Sequence, residues 1–235
     1  MRSRAAEDIG AAGTIHPSMR PDGPAFPPPT PSDLGDHEVP RDGDALDGVR
    51  VALMVTGGIA AMKAPMVARA LRRQGAVVTP FATTEALRYV GRDALAWACD
   101  RPVTVELTAD AEHLSDSAPF DAYLVAPATY SVIGKCAHGI ADTPVTSALA
   151  SGIGRMERGH AAVLFAPTMH GTMHTSILEG NLRALASIGC TVVPPRDAYG
   201  KHNLPDEVEL VRAVVDAVSS RRASPARQAA SPRPQ

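Results

Sequence analysis

Cysteine is scarce in this chain of 235 residues: only Cys99, Cys136 and Cys190 occur, and no two of them form a CxxC pair. That argues against a disulfide framework, which needs an even and closely spaced set. An excess of one charge is also missing. The formal net charge is -2 and no basic stripe runs through the apolar segments, so the footprint of a nucleic-acid surface is not there. Long apolar runs are absent too. Nothing approaches the roughly 18 uninterrupted residues that a spanning helix requires. The opening MRSRAAEDIGAAG lacks the continuous apolar core of a secretory signal. The expectation is a protein of the reducing cytoplasm, with no membrane and no nucleic-acid partner.

What is present divides the chain into three. Hydrophobic residues make up 45% of the sequence and charged residues 20%, enough for one or two domains with a substantial core. Residues 1–48 hold eight of the 21 prolines and few apolar side chains. Such a stretch buries too little surface to offset its ordering entropy, so a disordered Pro-rich extension is expected. Residues 219–235 carry four arginines and no acid among Ser, Pro and Ala. They read as a solvated, disordered tail.

Residues 49–218 read as one α/β domain. Val49–Val55, Ala76–Phe81, Ala122–Val125, Ala161–Phe165 and Thr191–Val193 are Val- and Ala-rich runs without polar alternation, the pattern of strands buried on both faces. Between and after them lie helical segments. Ala60–Gln74 places Met62, Met66, Ala70 and Arg73 on one face, with Val67 and Leu71 beside it and Gly75 as a stop. Thr143–Ser151, Ser176–Ile188 and Asp206–Val218 read similarly. Alternating strands and helices imply an open parallel sheet with right-handed crossovers and helices on both faces.

Three segments, each just past a strand, carry the chemistry. The first is Thr56-Gly57-Gly58-Ile59-Ala60-Ala61-Met62-Lys63. Two glycines permit a tight turn and close approach of a ligand, and the following helix start offers free N–H groups suited to a phosphate. It is neither a Walker loop nor GxGxxG. The second is Ala126-Pro127-Ala128-Thr129-Tyr130-Ser131, continuing to Gly139-Ile140-Ala141-Asp142-Thr143-Pro144. Small residues there let a flat ring lie against the backbone, and Thr129 and Ser131 can bond its polar edge. The third is Ala166-Pro167-Thr168-Met169-His170-Gly171-Thr172-Met173-His174. Open parallel sheets bind ligands at strand carboxyl ends, so the three converge on one crevice. His170 and His174, four apart, could share a metal on a helical face. No Glu stands at the zincin position and Pro167 and Gly171 break the helix, so no metal site is expected.

TGGIAAMK, APATYSVIGKCAHGIAD and APTMHGTM together resemble the three signature segments of the homo-oligomeric flavin-containing cysteine decarboxylases. That family includes phosphopantothenoylcysteine decarboxylase and the peptidyl-cysteine decarboxylases of peptide maturation. The resemblance implies a flavodoxin-like (Rossmann-like) single domain with FMN between the subunits of a trimer or dodecamer. It implies cofactor contacts from Thr56, Gly57, Gly58, Ile59 and Ala60, from Thr83 or Thr84, from Ala126, Thr129, Tyr130 and Ser131, and from Ala141. Met169, His170 and Met173 would meet the substrate. His113, eight positions before Asp121, stands at the spacing of the family's catalytic histidine. The activity implied is oxidative decarboxylation of a cysteine-type substrate, a peptide C-terminus or a phosphopantothenoylcysteine-like conjugate.

Two departures stand out. His170 occupies the family's Asn position, and imidazole cannot present a side-chain amide. The flap segment Pro194–Asp206 contains no cysteine, whereas the coenzyme A enzymes carry one there; Cys190 falls earlier and reads as core. Asp142-Thr143-Pro144-Val145-Thr146 also resembles the dipicolinate synthase flavoprotein subunit. A reductase or electron-transfer subunit of the same fold is therefore the alternative, ahead of a non-catalytic partner subunit. The prenylated-flavin synthases match the first segment less well.

Overall fold

The computed structural model describes residues 29–114 and 118–230, the side chains of 224–230 excepted. The chain divides into Met1–Gly35 and Asp36–Gln235. Of the first unit only residues 29–35 are described; they are exposed, without helix or strand. Of the disordered extension expected over residues 1–48, residues 1–28 lie outside the described residues.

The second unit contains β1 (Arg50–Val55), α1 (Ala64–Arg73), β2 (Val77–Ala82), α2 (Arg92–Cys99), β3 (Ala122–Ala128), α3 (Tyr130–Ala137), α4 (Pro144–Glu157), β4 (Ala162–Pro167), β5 (Met169–His170), α5 (Ser176–Ser187), β6 (Thr191–Val192), β7 (Arg196–Ala198), β8 (Lys201–Asn203) and α6 (Glu207–Ala230). The main sheet has the order β2-β1-β3-β4-β6, and every pairing in it is parallel. Counted within that sheet alone the order is 2-1-3-4-5, the flavodoxin-like arrangement. A small antiparallel sheet, β5-β8-β7, stands apart from it.

Alternation along the strands feeds two cores. Val51, Leu53 and Val55 point to the side covered by α1, α2 and α6, where Val67, Leu71, Leu95, Leu210 and Val214 are buried with them. Ala52 and Met54 point to the other side and pack with Val132, Ile133, Leu149 and Leu178 of α3, α4 and α5. Period-two side-chain direction in a sheet buried on both faces explains why these strands lack polar alternation.

Several boundaries differ from the sequence reading. Leu46 is fully buried in the first core, and its N–H bonds the Gln74 carbonyl at 2.9 Å; folded structure therefore begins before Gly48. The buried face of α1 is Ala64, Val67, Ala68 and Leu71, whereas Met62 and Met66 are more than half exposed. α6 continues to Ala230, past the expected end at Val218. All three cysteine thiols are pushed up to about 12, chiefly by burial, which makes them inert at neutral pH and fits Cys190 as a core residue. No helix among the described residues is long and apolar enough to cross a membrane.

Candidate functional site

Chain direction sets the place of the site. From β1 the chain moves outward to β2, and from β3 it moves the opposite way to β4. No crossover covers the carboxyl ends of β1 and β3, which leaves a crevice between them. Thr56, at the end of β1, is 1% exposed. Its hydroxyl donates to the Pro127 carbonyl at 2.7 Å, accepts from the Thr129 N–H at 3.3 Å and lies 3.0 Å from Thr129 Oγ1. A buried, satisfied hydroxyl thus stitches the first and second segments together at the crevice floor.

The first segment turns there. A Cβ on Gly57 would stand 2.4 Å from Cβ of Glu85, so only glycine fits. Gly58 caps the helical turn Ile59–Lys63 with no side-chain hydrogen bond, and no acid lies in that first turn. The opening N–H groups of Ile59 and Ala60 have no intrahelical acceptor by geometry and carry the positive end of the helix dipole. Free N–H donors at a helix start suit an anion.

Two adjoining cavities share this floor. The larger, about 610 Å³, is walled by Gly57–Ala60, by Thr129, Tyr130 and Ser131, by Thr168–His170 with Met173, and by Lys201, His202 and Asn203 of the hairpin. Its basic lining groups are His170, Lys201 and His202, and no carboxylate is among its lining residues. The smaller, about 290 Å³, lies among Thr56, Gly57, Thr83, Glu85, Ser131 and Lys135 and reaches Thr143 and Thr146. Thr143 and Thr146 form a reciprocal capping box at the start of α4. Lys135 pairs with Asp142 at 2.7 Å, and that hydrogen bond is the main cause holding the Asp142 carboxyl below its usual range. The Tyr130 hydroxyl lies 3.2 Å from that of Thr175, the residue that caps α5, which fixes the third wall against α3.

Comparison with known proteins agrees with this geometry. The sequence pattern of the family described as Flavoprotein matches residues 41–220. The chain belongs to the Flavoprotein family. The match begins close to the first buried contacts of the fold and takes in all three loops of the crevice. Among similar sequences, the coenzyme A biosynthesis bifunctional protein CoaBC of Thermococcus kodakarensis is 33% identical over 72% of this chain and 42% of its own length. The protein of the same description from Methanocaldococcus jannaschii is 30% identical over 74% of this chain and 42% of its own. The chain thus spans less than half the length of these curated relatives. Among solved structures, the FMN-dependent cysteine decarboxylase SpaF superposes with a TM-score of 0.64 at 23% identity, covering 75% of this chain and 99% of that one. A dodecameric FMN-dependent UbiX-like decarboxylase from Escherichia coli gives 0.57 at 22% identity, covering 74% and 94%. These likenesses show a shared Flavoprotein fold.

Most residues expected to meet a ligand come together. Thr56, Gly57, Gly58, Ile59, Ala60, Thr83, Thr129, Tyr130, Ser131, Met169, His170 and Met173 all line the two adjoining cavities. Thr84 does not; it is exposed in the turn after β2. Ala126 is fully buried within β3 and lines neither cavity. Ala141 and His113 line a different cavity of about 620 Å³, against Ser147, Ser151 and Arg155 on the outer side of α4. The cause is the path of the chain. It bridges the edge of β2 at Thr104, makes the turn bearing His113, and enters β3 at its far end. Within one chain, then, His113 is not in the crevice, and its Nδ1 is buried without a hydrogen-bond partner.

The sequence reading missed Glu85, Lys135, Thr143, Thr146 and Asn203 as lining residues. The Thr143-Pro144-Val145-Thr146 stretch did carry a signal, a cap followed by Pro at the first helical position. Among the described residues, no group of three or more His, Cys, Asp or Glu is arranged to hold a metal ion.

Proposed function

We propose that this protein is an FMN-dependent oxidative decarboxylase of a cysteine-type substrate, a C-terminal peptidyl-cysteine or a phosphopantothenoylcysteine-like conjugate, working in the cytoplasm as a homo-oligomer. The observation that carries the reading is the uncapped helix start at Gly58–Ala60, facing a crevice at the β1/β3 switch point whose cavity volume, about 610 Å³, suits a bound small molecule. The superposed FMN-dependent cysteine decarboxylase SpaF supports the same chemistry, and the sequence relatives belong to coenzyme A biosynthesis.

The residues present fit FMN. The N–H groups of Ile59 and Ala60 would hold its phosphate, helped by Thr83, which borders the smaller cavity. Pro127, Thr129, Tyr130 and Ser131 would hold the ring, with hydroxyls available to its polar edge. When bound, FMN supplies a hydride acceptor for the sulfur-bearing carbon of cysteine, which turns the neighbouring carboxylate into a leaving group. Met169 and Met173 provide apolar contact for the substrate stem. Lys201 and His170 face the same cavity and suit an anionic group.

His113 enters this account from a second copy. Its cavity lies on a different part of the surface and is bordered by Ser147, Ala150, Ser151 and Gly154 of α4, small residues that admit a close neighbour. In a trimer, or a dodecamer built of trimers, that face of one copy closes the crevice of the next. His113 of the partner subunit then orients the substrate cysteine and takes its proton.

The test is anaerobic mixing of the FMN-loaded protein with a peptide ending in cysteine. Bleaching of the flavin band, release of carbon dioxide and a product lighter by carbon dioxide plus two hydrogens are expected. Bleaching by a nicotinamide donor, with none by any cysteine compound, would assign the protein to the reductase class instead.

A further inference from the structure

The hairpin that walls the larger cavity is held by a chain of ionisable groups. Tyr199 and Gly200, with φ of 56° and 67°, form its two-residue turn, the geometry of a type I′ hairpin. His202 of β8 bonds Asp197 of β7 through Nδ1. Its Nε2 lies 2.8 Å from Nδ1 of His174. His174 in turn bonds Glu179 of α5 through Nε2 at 3.1 Å, and Glu179 also accepts from Arg183 at 3.0 Å. The order is Asp197, His202, His174, Glu179, Arg183, from the flap to α5.

Counting protons gives this chain its character. An ionised carboxylate only accepts, so His202 must carry hydrogen on Nδ1 and His174 on Nε2. The nitrogens left, His202 Nε2 and His174 Nδ1, face each other and bond only if one of them is protonated. Three hydrogens are needed on the two rings, and two neutral imidazoles carry two. The pair is complete only when it shares one extra proton, between two carboxylates that offset its charge.

We propose that His174 and His202 form a proton-sharing latch that fixes the hairpin as a wall of the larger cavity, making both of them positioning residues for its occupant. The inference builds on the reading of that cavity as the substrate site. His202 lines the cavity beside Lys201, and β8 pairs with β5 through Met169↔His202 and His170↔Lys201. Holding β8 therefore sets the positions of Lys201, the one permanent cation of this cavity, and of His170. The Gly171 N–H, which bonds the Gly200 carbonyl at 3.1 Å, is a second tie that does not titrate.

The latch weakens in both pH directions. With a second extra proton, two N–H groups face each other across 2.8 Å and repel. With none, lone pairs oppose and one of three bonds is lost. The charged groups bonded along the chain lack this reversal: Asp197 on β7 and Glu179 on α5 are acceptors, and Arg183 is a cation. Hairpin order should therefore pass through a maximum as pH is varied, because the three-bond chain needs one shared proton, neither more nor fewer.

Hydrogen–deuterium exchange of the full-length protein, followed on the peptide spanning residues 196–203 and corrected for intrinsic rate, tests this without turnover. Wild-type protection should pass through a maximum with pH. His174→Ala should lower that maximum about two- to fivefold, the worth of a solvent-exposed charged pair. His174→Gln, which offers His202 a donor but no titrating proton, should keep much of the protection and flatten the profile. A wild-type profile without a maximum, or the same profile in His174→Gln, would overturn the latch. If the protein reduces no flavin with any cysteine compound yet shows this profile, the proposed activity falls and the latch stands.

Discussion

Gly57→Val should yield a folded protein that emerges colourless and takes up no FMN. The glycine Cβ position already stands 2.4 Å from Cβ of Glu85, so a branched side chain must push the turn after β1 out of register with the turn after β2. That displaces the opening N–H groups of Ile59 and Ala60 by far more than a hydrogen bond tolerates. The sheet should survive, because the change lies past the last paired residue of β1, Val55. An unchanged circular dichroism spectrum with at least about a hundredfold weaker FMN binding is the expected pair of results, equivalent to roughly 3 kcal/mol. A variant that binds FMN like the parent would remove those N–H groups from the account.

His113→Asn should do the opposite, keeping the yellow complex and losing turnover. Removing a general acid–base group costs about a hundredfold to ten-thousandfold in rate. Because His113 lines a cavity apart from the Gly57 crevice, the two variants should also rescue each other. In a cyclic assembly each site would take its cofactor loop from one copy and its imidazole from the next. Random co-assembly of equal amounts of the two inactive variants then leaves about a quarter of the sites intact. Activity near that fraction of wild type is the expected outcome of co-refolding. No recovery, in oligomers shown to be mixed, would mean that His113 serves its own chain or none.

Much of the architecture was legible because burial on both faces writes itself as uninterrupted Val and Ala. All five main strands lie where those runs occur, and their connections through helices required a parallel sheet. The loops of the site were legible for a related reason: Gly57, Gly58, Pro127 and Pro167 punctuate strand ends, where backbone must turn or approach closely. Other features were illegible for physical reasons. α3 runs through Gly134, and Tyr130–Ala137 carries apolar residues too evenly to show a helical stripe. Met62 and Met66 are apolar, and sequence alone cannot tell an apolar face turned inward from one left exposed. Leu46 sits among Asp and Gly, which hid its burial.

His113 marks the sharpest limit. The family resemblance singled out this imidazole by its spacing from Asp121, but linear distance says nothing about which side of α4 the connecting turn passes. Likewise, His174 and His202 are far apart in the chain, and only the pairing of β8 with β5 brings their rings to a centroid distance of 4.8 Å.

The most direct trial of the central claim is a crystal structure of the protein grown with FMN. The account predicts phosphate oxygens on the N–H groups of Ile59 and Ala60, the ring against Pro127, Thr129 and Ser131, and His113 of the partner subunit closing the same crevice. FMN seated away from the carboxyl ends of β1 and β3, or a crevice that stays empty at saturating FMN, would contradict it.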